Sequence, residues 1–146
     1  MTTIATDGDT MAGDGMIASD GVVFHRGFVK VRQLPDGRIV GVCGSAYDIE
    51  PFSAWLVEGG DKPELSDAFE ALVLDPTGEC RCYSGDCTSI VEELPTACGS
   101  GRQIALGAME VGATPGEAVE IASRRSLGTG GKITVLTRPR NLRRVA

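Results

Sequence analysis

The first fourteen residues, Met1-Thr2-Thr3-Ile4-Ala5-Thr6-Asp7-Gly8-Asp9-Thr10-Met11-Ala12-Gly13-Asp14, hold the pattern on which the reading of this chain turns. Asp7-Gly8 is a hairpin signal, because a type I′ turn needs positive φ at both central residues and Asp-Gly supplies it at little steric cost. With a two-residue loop, Thr6 faces Asp9, Ile4 faces Met11, and Thr2 lands opposite Gly13 with Asp14 beside it. A hydroxyl near the start of the chain is thereby set next to a carboxylate. Loss of Met1 before a small residue would expose the Thr2 α-amine, whose ordinary pKa of about 7.7–8.0 suits a base near neutral pH. A threonine carrying both the nucleophile and its base is one form of the activated nucleophile.

Working outward, 146 residues with 42% apolar and 23% charged side chains bound the answer to one globular domain able to bury its own core. The domain is expected over residues 1–137, followed by a basic tail over residues 138–146. That tail holds Arg138, Arg140, Arg143 and Arg144 and no acid, so ten of the 14 basic residues are left to face 20 acids elsewhere. A body so acidic is a poor partner for nucleic acid. The tail reads as a solvated end or as a segment docking on a neighbouring subunit or an acidic partner. No apolar run is long enough for a membrane span. No leader pattern of basic then apolar residues opens the chain, and five cysteines fit reduced thiols, so a cytoplasmic protein is expected.

A Gly-punctuated connection follows over residues 15–27, then a second hairpin: residues 28–34, a Pro35-Asp36-Gly37 turn, and residues 38–44. Counting back from the turn places Lys30 opposite Cys43 or Val42, depending on the loop length. A helix is expected over residues 47–57 with Ala46, Trp55, Leu56 and Val57 as apolar contacts, stopped by Gly59-Gly60. Residues 68–74 read as a buried strand, residues 79–83 as its return after the Asp75-Pro76-Thr77-Gly78 turn, and a short strand precedes Cys98. From Ser100 the apolar residues recur at three and four, through Ile104, Ala105, Ala108, Met109 and Val111. Thr114-Pro115-Gly116-Glu117 is a helix start with a capping box, and that helix runs to about Arg125. Residues 132–137 form a last strand. Two antiparallel sheets with helices on their outer faces would use every element, giving an α+β fold.

Four segments carry a resemblance: Thr2-Thr3-Ile4; Ala12-Gly13-Asp14-Gly15; Val29-Lys30-Val31-Arg32 together with Cys43-Gly44-Ser45-Ala46-Tyr47-Asp48; and Gly99-Ser100-Gly101. In order and spacing the chain resembles the proteasome β-subunit and the proteasome-like peptidase HslV, which are N-terminal-nucleophile hydrolases. The resemblance implies a four-layer αββα sandwich and a threonine-type peptidase. In it Thr2, freed of Met1, attacks a peptide carbonyl. Lys30 makes the hydroxyl more acidic or relays its proton, and Asp14 keeps Lys30 charged. The Gly44 N–H stabilises the oxyanion, and Ser100 orders the terminal amine. Val42 and Ala46 would line a modest side-chain pocket, with Arg32 on the same strand face as Lys30. Polypeptide substrates, a homo-oligomer and an ATP-dependent unfoldase partner are implied as well, with no cofactor, no metal, no nucleic acid and no membrane.

Departures from the family pattern shape two further expectations. Between Trp55 and Ala68, where the family carries a second long helix, the chain is short and rich in Gly, Asp and Pro, so an outer helix is missing. Before the Gly-Gly near the last helix the family places an aspartate and a serine; this chain offers Ser126 and Thr129 in their stead. On the residues alone, Thr2 also reads as a strand start, Lys30 as a surface lysine, Asp14 as a strand end and Ser100 as a helix N-cap. A catalytically silent scaffold on the same fold is the alternative function. Cys80-x-Cys82-x4-Cys87 falls short of the four ligands of a structural zinc and reads as small apolar filler.

Overall fold

The computed structural model describes residues 2–139. Two antiparallel sheets face each other. One has the order β10-β1-β2-β11, from β1 (Thr3–Thr6), β2 (Thr10–Gly13), β10 (Thr96–Gly99) and β11 (Thr134–Thr137). The other runs β5-β6-β7-β8-β9, from β5 (Val31–Gln33), β6 (Ile39–Cys43), β7 (Glu70–Leu74), β8 (Cys80–Ser84) and β9 (Ser89–Val91). A separate hairpin joins β3 (Ile17–Ser19) to β4 (Val22–His25). Three α-helices occur among the described residues: α1 (Ile49–Glu58), α2 (Arg102–Glu110) and α3 (Pro115–Arg125).

Strand alternation decides which side chains meet. Ile4 and Met11 point between the sheets, where they pack with Val31, Ile39, Leu72, Leu74, Cys43, Cys80 and Cys98. Their neighbours Ala5 and Ala12 point outward, and these small residues meet Ala105, Ala118, Val119 and Ala122 of α2 and α3. On the far face of the five-stranded sheet, Val40, Val42 and Val73 pack under Ile49 and Phe52 of α1, with Phe69, Trp55 and Tyr83 completing an aromatic cluster. The α3 start is the expected capping box, with Thr114 and Glu117 exchanging side chain and backbone bonds. Gly59 closes α1 at a φ of 71°, and no helix or strand lies between α1 and β7, matching the expected missing helix.

The first hairpin differs from the expected register by two residues. Ile4 pairs with Gly13 and Thr6 with Met11, so the loop has four residues, not two. Side chains close it: Asp7 Oδ1 accepts the N–H of Asp9 and of Thr10, while the Thr6 hydroxyl donates to the Thr10 carbonyl and accepts the Gly8 N–H. An even slip leaves every side chain on its expected face but sets Asp14 against Thr3 rather than beside Thr2. The second hairpin has the three-residue loop, with Leu34 and Gly37 closing it and Val42 opposite Lys30. The connection over residues 15–27 is a hairpin, turned at Asp20 (φ 51°) and Gly21 (φ 77°), the same Asp-Gly signal that begins the chain. Val57 and Val111 are solvent-exposed rather than core contacts, the latter lying beyond the end of α2.

Arg138, counted with the tail in the sequence reading, is bound to the body. Its Nε donates to the Gly8 carbonyl at 2.9 Å and its Nη1 to the Pro76 carbonyl at 2.9 Å. The other three tail arginines lie outside the described residues. Cys80 and Cys82 lean on the inter-sheet core while Cys87 packs under α1, so the three thiols do not converge.

Burial raises the Cys80 thiol from 9.0 to about 12, with the Glu92 carboxylate adding to it. A thiol raised on folding contributes stability that is complete below pH 9 and lost as pH climbs toward 12, because the unfolded chain sheds the proton first. The urea midpoint is therefore expected to fall between pH 9 and pH 11, and Cys80→Ala to flatten that fall; equal slopes for both proteins would refute the assignment.

Candidate active site

At one end of the inter-sheet layer, three segments bring polar side chains into an otherwise apolar region. Thr2 precedes β1, shares its face with Ile4, and is 3% exposed. Asp14 follows β2 and is fully buried, and Lys30 precedes β5 at 4% exposure. The Lys30 ammonium donates to Thr2 Oγ1 at 3.2 Å, to both Asp14 oxygens at 3.1 and 3.2 Å, and to the Met16 carbonyl at 2.6 Å. Asp14 Oδ1 also accepts the Thr3 N–H at 3.0 Å, and Oδ2 the N–H groups of Gly130 at 3.2 Å and Met16 at 3.4 Å. A buried ion pair survives only where such bonds make good the lost water.

The last turn of β10 holds the threonine's backbone. The Ser100 N–H donates to the Thr2 carbonyl at 2.8 Å, and its hydroxyl lies 3.4 Å from the same oxygen. Gly99, at a φ of 94°, passes so close that a Cβ there would overlap that carbonyl. Ser100 is therefore not the cap of α2; that position belongs to Gly101. Across the site Gly44 adopts a φ of 106°, and a Cβ there would lie 2.9 Å from the Ala68 carbonyl oxygen.

Two cavities open beside Thr2, and both are lined by Thr2 and Gly44. One, of about 330 Å³, is walled by Met16, Val42, Ala46 and Ile49 and flanked by β3. The other, of about 410 Å³, is bounded by Ser100, Asp67, Glu70 and Arg102. Val42 and Ala46 line the smaller of the two. Arg32 does not line either cavity; it pairs with Glu50 of α1. Ser126 caps the end of α3, its N–H on the Ala122 carbonyl, and does not join the cluster. The Thr129 hydroxyl bonds that of Thr3 at 2.6 Å, on the helix-covered face of the sheet beside Gly101 and Ala122, so it too stays outside the Thr2–Lys30–Asp14 cluster.

Sequence reasoning missed the Met16 carbonyl and the N–H groups of Thr3 and Gly130. All act through the backbone, which leaves no residue-type signature. Next to Gly44 and Gly99, the thiols of Cys43 and Cys98 touch across the two sheets with sulfurs 2.7 Å apart. Burial, then the contact with Cys43, pushes the Cys98 thiol well above its ordinary range.

No known family profile matches this sequence, and no curated protein does. Solved structures do. Thiobacillus denitrificans BPH superimposes with a TM-score of 0.71 at 18% identity, covering 96% of this chain and 99% of that one. The same protein in complex with epoxomicin gives 0.70 at 18% identity, covering 94% and 98%. The likeness shows a shared fold over nearly the whole of both chains.

Removing either partner of the ion pair strands the other in a dry setting, a loss of about 3–5 kcal/mol. Lys30→Met is expected to lower unfolding stability by that order. Asp14→Asn in the same chain should restore part of it, because the stranded carboxylate is gone. Strictly additive losses in urea titrations would show the two groups uncoupled.

Proposed function

We propose that the chain is a threonine-type peptidase subunit of the proteasome-like N-terminal-nucleophile class, built as a four-layer αββα sandwich, with Thr2 as nucleophile once Met1 is removed. The observation that carries this reading is the Thr2 Oγ1–Lys30 Nζ–Asp14 chain, buried yet opening onto two cavities. The shared fold with a protein solved bound to epoxomicin, a proteasome inhibitor, supports it.

The donor arithmetic assigns the roles. An ammonium has three protons and no lone pair. Those of Lys30 face Thr2 Oγ1, Asp14 and the Met16 carbonyl, so Lys30 acts as a donor that stabilises negative charge growing on Oγ1. The proton of the hydroxyl must go elsewhere, and the freed Thr2 α-amine is the nearest base by covalent connection. As the Oγ1–carbon bond forms, the amine takes the hydroxyl proton and the carbonyl oxygen gains charge. The Gly44 N–H faces that oxygen, a role worth about 3–4 kcal/mol in other enzymes. The C–N bond then breaks as the ammonium returns the proton to the leaving nitrogen. Water attacks the resulting ester, gives its proton to the amine, and Oγ1 departs as the hydroxyl again.

The Ser100 N–H holds the Thr2 carbonyl, and Gly99 leaves room for it, which fixes the rotation of the residue bearing both reacting groups. The Met16, Val42 and Ile49 wall suits an apolar side chain of moderate size on the acyl side. Unfolded polypeptide substrates, a homo-oligomer, and delivery by an ATP-dependent unfoldase go with this reading.

Intact-mass spectrometry tests it directly. The expected mass is one methionine residue below the full sequence, shifting by one inhibitor on incubation with epoxomicin, with the adduct on Thr2. Thr2→Ala should abolish both labelling and peptide hydrolysis, the latter by at least about 10³-fold. Retained Met1 with no labelling would favour the silent scaffold.

A further inference from the structure

The two cavities at Thr2 differ in chemistry, and this difference assigns a direction to the bound chain. The smaller is flanked by the β3 strand on one side and by the turn over residues 44–46 on the other, a slot whose β3 edge suits strand addition. The larger lies on the opposite side of Thr2 and Gly44, and its walls are charged. A peptide whose carbonyl sits between Thr2 Oγ1 and the Gly44 N–H has to send its acyl portion one way and its leaving portion the other. If the slot takes the acyl portion, the charged cleft takes the segment that begins at the leaving nitrogen.

Three charges bound that cleft. Arg102 Nη1 stands 3.8 Å from Glu70 Oε2, a loose pair with both side chains partly exposed. Asp67 adds a second carboxylate, so the side chains of the cavity wall carry two carboxylates against one guanidinium. Its position is fixed from below: Asp48 Oδ2 accepts the Ser66 N–H at 3.1 Å and the Ser66 hydroxyl at 2.7 Å, which pins the loop before Asp67. The Phe69 N–H on the Ser66 carbonyl closes the turn around it. Glu70 is anchored in β7 opposite Cys43. The carboxylates are therefore presented by ordered backbone.

We propose that Asp67 and Glu70, with Arg102, form a specificity subsite for the leaving segment that favours lysine or arginine in the first two residues after the scissile bond and disfavours acidic ones. This deepens the peptidase reading and rests on it. The same charge also suits the product, since hydrolysis leaves a new cationic amino terminus there. Exposed pairs of this kind discriminate by a few-fold, not by orders of magnitude, and are screened by salt.

Internally quenched peptides that differ only at those two positions provide the test, using the full-length protein. Lysine peptides are expected to exceed alanine, and alanine glutamate, by about two- to fivefold each in kcat/KM at low ionic strength, with the spread collapsing in about 0.5 M NaCl. Asp67→Lys should reverse the order, whatever it does to the absolute rates. Equal rates for all three peptides, or an order unmoved by Asp67→Lys, would overturn the subsite while leaving the peptidase reading intact. No cleavage of any peptide by protein free of Met1 would overturn both.

Discussion

The buried Asp14–Lys30 pair is the constraint to which the rest of the site is subordinate. The two residues come from opposite sheets, at the ends of β2 and β5, so their contact fixes how one sheet sits over the other at this edge. A carboxylate and an ammonium out of water cost several kcal/mol each unless every lone pair and proton finds a partner. Here they do: the backbone of Thr3, Met16 and Gly130 faces the carboxylate, and the Met16 carbonyl and Thr2 hydroxyl face the ammonium. Three distant parts of the chain converge because the charge demands it. The Gly130 loop after α3 is drawn to the start of β1 for this reason, and the Gly15 N–H on the Gly130 carbonyl secures it.

The layers around that pair are built from two unlike packing solutions. Outside the four-stranded sheet the contact is alanine on alanine, through Ala5, Ala12, Ala105, Ala118 and Ala122, which lets α2 and α3 lie close to the strands. Outside the five-stranded sheet a single helix must cover a comparable face, and large rings do it: Phe52 lies 4.8 Å from Phe69 and 5.3 Å from Tyr83, centre to centre. Bulky side chains replace the area that a second helix would otherwise bury. The short loop after α1 is thereby free to turn back and carry Ser66 and Asp67 to the cleft.

Much of this was legible from residue order alone. The turn chemistry of Pro35-Asp36-Gly37 narrows the partner of Lys30 to Cys43 or Val42, and the three-residue loop selects Val42. The first hairpin has a loop longer by two residues than Asp7-Gly8 implies, and an even slip keeps each side chain on its face while moving Asp14 opposite Thr3. What the sequence concealed was decided by backbone groups or by competition between side chains. The partners of Asp14 are mostly N–H groups that any residue owns. Arg32 was placed correctly on its strand, yet its guanidinium goes to Glu50, because an exposed carboxylate one helix away is a better partner than an apolar pocket. Ser126 sits where a supporting polar residue was expected, but the end of α3 claims its N–H. The β3–β4 hairpin carries the same Asp-Gly signal as the first, hidden by the other glycines around it.

The two thiols between the sheets and the oxygens around Lys30 are unlike surroundings for a cation. Cys43 and Cys98 each precede a glycine of the site, Gly44 and Gly99, and their sulfurs meet between the sheets. Burial keeps the Cys98 thiol protonated, and Glu70 raises it further. Sulfur is a weak acceptor, so these thiols offer an ammonium little. The acceptors that Lys30 takes are oxygens, on Asp14, Met16 and Thr2. Oxygens from three segments thus aim the cation at one hydroxyl. In the proposed peptidase reaction, an ammonium aligned in this way would have little reorganising to do as charge develops on Oγ1, the condition under which a fixed dipole or charge lowers a barrier most.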